Sequence, residues 1–138
     1  MTKEETIHQQ LCAYIRAQYP TVIFTSEPSG LRLPIGQATK LKKLRSGSKL
    51  PDLWILERRA NYGGLFIELK TNYDSLYKKN GEYKTPHVKE QAEVIERLKQ
   101  KGYAATFAVG FDGARMEVDM YLLQDKPDLR GVPNARKL

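Results

Sequence analysis

Residues 51–70, PDLWILERRANYGGLFIELK, decide the fold. An apolar run from Leu53 to Glu57 is followed by Arg58-Arg59-Ala60-Asn61-Tyr62-Gly63-Gly64 and then by a second apolar run, Leu65 to Lys70. That layout predicts strand, turn, strand. Ile55, Leu56, Leu65, Phe66, Ile67 and Leu69 make both runs nearly continuously apolar, so the hairpin is expected to be central and buried on both faces. Side chains alternate along a strand, which puts Phe66, Glu68 and Lys70 on one face and Leu65, Ile67 and Leu69 on the other. A turn centred near Ala60-Asn61 sets Asp52 opposite Leu69 and Leu53 opposite Glu68. Asp52 is then expected at the end of the sheet where Glu68 and Lys70 emerge.

Two carboxylates and a lysine gathered at one sheet end have two readings. One is an ion pair between Lys70 and Asp52 or Glu68 at a sheet edge. The other is a metal-dependent catalytic site. Charge inside an otherwise hydrophobic strand is costly without a purpose, which favours the second. Neighbouring carboxylates repel unless a cation lies between them, and a hard divalent ion with oxygen ligands removes that cost. Mg²⁺, or Mn²⁺, would polarise a phosphoryl oxygen and activate its water, with Lys70 orienting or deprotonating that water.

Outward from this hairpin, Lys3 to Gln18 reads as a helix, with Ile7, Leu11, Tyr14, Ile15 and Gln18 on one face and Thr2 and Glu5 forming a capping box. Thr21 to Thr25 reads as a short strand. Ser26 to Leu50 reads mostly as loop, with one helical turn around Gln37 to Leu44. It carries Arg32, Lys40, Lys42, Lys43, Arg45 and Lys49 and no acid after Glu27, and these six cations are the candidate nucleic-acid contacts. Thr71 to Pro86 is a polar excursion in which Tyr73, Tyr77 and Tyr83 stand among lysines. Thr85-Pro86 opens a helix from His87 to Lys101. Val88, Ala92, Ile95 and Leu98 form its apolar stripe. Gln91 falls on that stripe as either a satisfied core amide or a site residue. Ala104 to Val109 reads as a strand, Asp112-Gly113 as a turn, and Ala114 to Leu123 as a helix with Met116, Met120 and Leu123 on one face. Residues 1–123 are expected to form the folded domain and 124–138 a mobile tail.

With 138 residues the chain is long enough for one domain with a real core. Cys12 is its only cysteine, which excludes a disulfide framework and a thiolate zinc cluster, and is expected to pack in the core. His8 and His87 are too few and too far apart to suggest zinc, and His87 reads as a helix-start residue. Neither a membrane-spanning run nor a signal-peptide pattern is visible, so a soluble intracellular protein is expected. A net charge of +7 points towards polyanionic partners, DNA above all.

PDLWI…GGLFIELK resembles the PD-(D/E)XK nuclease superfamily. The surroundings resemble its virus-type replication-repair nuclease branch (VRR-NUC). Those surroundings include the acidic start of the first helix (Glu4, Glu5), Ser48-Lys49-Leu50-Pro51-Asp52-Leu53 in place of a glycine-rich approach to PD, Gln91 on the later helix, and Val109-Gly110-Phe111-Asp112-Gly113-Ala114 leading to Tyr121-Leu122. The resemblance spans roughly residues 4 to 123. It implies an α/β, restriction-endonuclease-like fold with a small mixed central sheet flanked by helices. It also implies Asp52, Glu68 and the Leu69 carbonyl as metal ligands, Lys70 as catalytic, Gln91 as a site residue, and an acid from the first helix, Glu4 or Glu5, completing the site. Glu4 is preferred because it shares the face of Ile7, although both acids could simply complement the helix dipole. The activity implied is metal-dependent endonucleolytic cleavage of DNA, selective for branched or four-way-junction structures, by a homodimer in the cytoplasm of a bacterial or phage-infected cell. A DNA-binding module with an idle site and a sequence-specific restriction enzyme are the alternatives.

Overall fold

The computed structural model describes residues 1–130. Four strands, β1 (Phe24–Ser26), β2 (Leu53–Ile55), β3 (Leu65–Lys70) and β4 (Ala104–Val109), form one sheet in the order β1-β2-β3-β4. The first three are antiparallel neighbours and β4 runs parallel to β3, so the sheet is mixed. Helices α1 (Lys3–Gln18) and α4 (Gly110–Leu122) cover one face through Leu11, Ile15, Ala114, Val118, Tyr121 and Leu122, packed on Leu53, Ile55, Leu65, Ile67 and Leu69. Helix α3 (Pro86–Gln100) covers the other through Val94, Ile95 and Leu98 on Phe66 and Ala105. A fourth helix, α2 (Ile35–Lys43), precedes β2 and buries no residue. This is the expected α/β architecture. Among the described residues no helix is long and apolar enough to cross a membrane.

Local chemistry accounts for the helix boundaries. Thr2 Oγ1 accepts from the Glu5 N–H while Glu5 Oε2 accepts from the Thr2 N–H, the expected capping box. Thr85 Oγ1 accepts from the Val88 N–H and Pro86 opens α3, where no N–H is needed. Gly110, with φ +70, lets the chain pass from β4 straight into α4, so Asp112-Gly113 lies inside the helix and is not a turn.

Several expectations are corrected. β1 lies at Phe24–Ser26, further along than Thr21 to Thr25, and β2 ends at Ile55. Leu56 is 52% exposed, so the hairpin is not buried throughout. On α4 the buried face is Ala114, Val118, Tyr121 and Leu122, whereas Met116, Met120 and Leu123 face water. Beyond α4, Asp125 O accepts from the Ala60 N–H at 2.7 Å, and Gln124 donates to Tyr121 O. Of the expected tail, 124–138, residues 131–138 lie outside the described residues.

The register of the hairpin differs most consequentially. Leu53 pairs with Ile67 and Ile55 with Leu65, so continuing the ladder sets Asp52 opposite Glu68, not Leu69. The turn itself is where the sequence puts it, closed by an Arg59–Tyr62 bridge with Ala60 at φ +49. Four steps separate Ile55 from Arg59 but only three separate Tyr62 from Leu65, so the first strand carries one extra residue. Contacts from α4 fix this bulge: Tyr121 Oη donates to Glu57 O at 2.6 Å, and Arg59 Nε donates to Leu122 O at 3.3 Å. A side chain at Gly64 would have its Cβ 2.9 Å from Ile55 O, so the close approach across the bulge requires glycine. Because opposite residues share a face, a slip of one would have put Asp52 and Glu68 on opposite sides of the sheet.

Candidate active site

Asp52 and Glu68 are 4% and 3% exposed and lie on the α3 face of the sheet, at the end where β3 finishes. Asp52 Oδ2 accepts from the Leu69 N–H at 2.9 Å, which locks its carboxylate onto β3. Its backbone carbonyl accepts from the Glu27 N–H at 2.8 Å, extending the β1–β2 ladder. Burial first, and then the neighbouring Asp52 charge, push the Glu68 carboxyl up to about 8.

Lys70, two residues along the same face, donates from Nζ to Gln91 Oε1 at 2.7 Å. Gln91 in turn donates from Nε2 to Glu68 Oε1 at 2.6 Å. An amide suits both roles, since its oxygen accepts from the ammonium while its N–H donates to the carboxyl oxygen of Glu68. Gln91 therefore holds Lys70 and Glu68 at a fixed relation, and the stripe position that sequence left open is a site position in geometry. The second Gln91 N–H points to His87 Nε2 at 3.3 Å, one helical turn earlier, which makes that nitrogen the acceptor. The sequence reading did not place His87 here, although its i, i+4 spacing from Gln91 was the available signal.

Glu4 and Glu5 separate clearly. Glu5 is engaged in the α1 cap, and its hydrogen bonds to Thr2 lower its carboxyl below the ordinary range. Glu4 retains much of its surface in water, but partial burial and then the Asp52 charge raise its carboxyl, with Lys70 and Lys49 opposing. It belongs to the electrostatic field of the site. Among the described residues, no three His, Cys, Asp or Glu side chains come close enough to cage a metal ion. Two buried carboxylates, one of them raised by burial and then by the charge of the other, are nevertheless a donor set that a hard divalent cation fits, leaving positions for water and phosphate oxygens.

The six basic candidates are not equivalent. Arg32, Lys40, Lys42 and Lys43 are exposed around α2. Arg45 instead turns inward and pairs with the buried Glu27, which also caps the 3-10 turn Pro28–Gly30 through the Ser29 N–H. Lys49 also turns inward, its Nζ 3.5 Å from Asp52 Oδ1. The Thr71 to Pro86 excursion exposes Tyr73 and stacks Tyr77 on Tyr83 with centroids 5.6 Å apart, while Leu76 is buried beneath. Cys12 is half-buried against the core, as expected. A cavity of about 670 Å³ beside α1, lined by residues including His8, Cys12 and Arg16, contains none of Asp52, Glu68, Lys70 and Gln91.

No protein-family model matches the chain, and no curated protein matches it. Among solved structures, one described as a VRR_NUC domain protein aligns over 93% of this chain and 94% of its own, with a TM-score of 0.65 and 24% identity. The chain has the VRR_NUC fold. Within that fold, the bulged hairpin, β4 and α3 are the elements that bring Asp52, Glu68, Lys70 and Gln91 to one sheet end.

Proposed function

We propose that this protein is a divalent-metal-dependent endonuclease that hydrolyses DNA phosphodiester bonds and selects branched substrates. The observation that carries the reading is the buried Asp52–Glu68 pair joined to Lys70 through Gln91. Asp52, Glu68 and the Leu69 carbonyl would hold Mg²⁺ or Mn²⁺, with Glu4 contributing at the rim. The ion would supply Lewis-acid polarisation of the phosphoryl oxygen and a water of lowered pKa.

The remaining work falls to the chain itself. Gln91 keeps the Lys70 ammonium beside Glu68, so a positive charge stands where the scissile phosphate gains negative charge. Leu69 N–H fixes the Asp52 carboxylate so that it need not reorganise. Arg32, Lys40, Lys42 and Lys43 offer backbone phosphates a charged track without reading bases. Tyr73 and the Tyr77–Tyr83 stack supply aromatic faces for unpaired bases at a branch. A homodimer would present two such sites to a four-way junction, and the uncovered Met116, Met120 and Leu123 offer an apolar surface for pairing.

The test compares cleavage of labelled duplex, single-stranded, flap and four-way-junction DNA with Mg²⁺, Mn²⁺ or EDTA. Metal-dependent nicking that prefers the junction is expected. Salt-sensitive binding without cleavage in either metal would leave a DNA-binding module, and discrete fragments from linear duplex would indicate sequence-specific cutting.

A further inference from the structure

The two oxygens of Asp52 have different partners. Oδ2 is taken by the Leu69 N–H, while Oδ1 faces the Lys49 ammonium at 3.5 Å. Lys49 is the one cation of the basic segment that reaches the acidic pair, and its side chain is 31% exposed against 5% for Asp52. At 3.5 Å the contact is an ion pair too long to be a fixed hydrogen bond. Lys49 follows Gly47 and Ser48 in a stretch that belongs to no helix or strand.

We propose that the Lys49 ammonium takes the cation position beside Asp52 Oδ1 when no divalent ion is bound, and swings to a DNA phosphate when the ion arrives. The proposal rests on the reading of Asp52 and Glu68 as a metal site. An ammonium and a divalent ion cannot share one carboxylate oxygen without strong like-charge repulsion, so one excludes the other. Without metal, Lys49 offsets the charge of the buried pair and is withheld from DNA. With metal, it is released towards the polyanion that the site must hold. Metal and DNA then strengthen each other's binding, and by reciprocity each does so by the same factor.

The test uses the full chain as wild type, Lys49→Met and Lys49→Arg, with folding checked by circular dichroism. Mn²⁺ binding is measured calorimetrically without DNA. Removing one competing charge at a partly solvated site should tighten Mn²⁺ binding about tenfold in Lys49→Met, while Lys49→Arg should bind like wild type. Junction binding is measured in parallel in a Lys70→Ala background, which blocks cutting. Lys49→Met should match its parent in EDTA and lose affinity only in Mn²⁺. Unchanged or weaker Mn²⁺ binding by folded Lys49→Met, or an equal loss of DNA affinity with and without metal, overturns the proposal while leaving the metal site intact. No Mn²⁺ binding by wild type overturns both.

Discussion

Replacing Glu68 by glutamine should stabilise the metal-free protein, and only at neutral to alkaline pH. Glu68 ionises at about 8 in the folded chain against an ordinary 4.5, because it is buried beside Asp52. Below pH 4.5 the carboxyl is protonated in both folded and unfolded chains and costs nothing. Between 4.5 and about 8 the folded chain holds a proton that the unfolded chain has released, so stability falls as pH rises. Above 8 the loss is complete. The gap of 8 − 4.5 = 3.5 in pKa, at roughly 1.36 kcal/mol for each unit, sets an upper bound of about 5 kcal/mol. Asp52 shares the strain of this pair, so a change of about 2–5 kcal/mol is expected from the single substitution. Glutamine keeps an oxygen to accept from Gln91 Nε2, and its neutrality removes the repulsion. The assay is urea unfolding at intervals from pH 5 to pH 9 with EDTA present. The wild-type and Glu68→Gln curves should converge near pH 5 and separate towards pH 9, the variant lying above. Parallel curves, or a variant less stable at pH 9, would refute the reasoning. Saturating Mg²⁺ should restore the wild type and leave the variant unmoved.

Three further outcomes are expected. Gln91→Ala should lower the single-turnover cleavage rate about 100-fold with little change in junction affinity, since it unlinks Lys70 from Glu68 without touching the basic track. Arg45→Ala should cost about 3–5 kcal/mol in urea unfolding, because Glu27 is left buried without its partner, whereas Lys42→Ala should leave stability unchanged and reduce the salt dependence of DNA binding. Asp119 is the third case. Burial opposes its ionisation, but hydrogen bonds from Tyr19, Tyr14 and Arg115 together hold its carboxyl below the ordinary range. Its contribution to stability is therefore present above the unfolded-state pKa and lost as pH falls through the lower folded value. Asp119→Asn should unfold more easily than wild type at pH 7, and the difference should shrink below pH 4 in acid-unfolding curves.

Much of this protein is legible in its sequence because local signals and tertiary demands agree. The capping box at Thr2, the Thr85-Pro86 helix start and the limits of β3 and β4 are set by groups within a few residues of one another. The meeting of Glu68, Lys70 and Gln91 follows from two periodicities, alternation on a strand and the stripe on α3. The register does not follow from local signals. The extra residue after Ile55 is fixed by Tyr121 and Arg59 contacts to and from α4, more than sixty residues apart in sequence. The buried face of α4 escapes local signals for a different reason: Ala114-Val118-Tyr121 and Met116-Met120-Leu123 both carry helical spacing, and only the packing on α1 and β3 chooses between them. The basic segment shows the same limit, since composition groups Arg45 and Lys49 with four exposed cations while the buried acids Glu27 and Asp52 claim them individually.

The central claim is tested most directly by incubating a labelled four-way junction with Mg²⁺ and either wild-type protein or Asp52→Asn. The account predicts cleavage by the wild type that EDTA abolishes, and a rate at least 100-fold lower in a folded Asp52→Asn that still binds the junction. Equal cleavage by the two proteins, or cleavage that persists in EDTA, would contradict it.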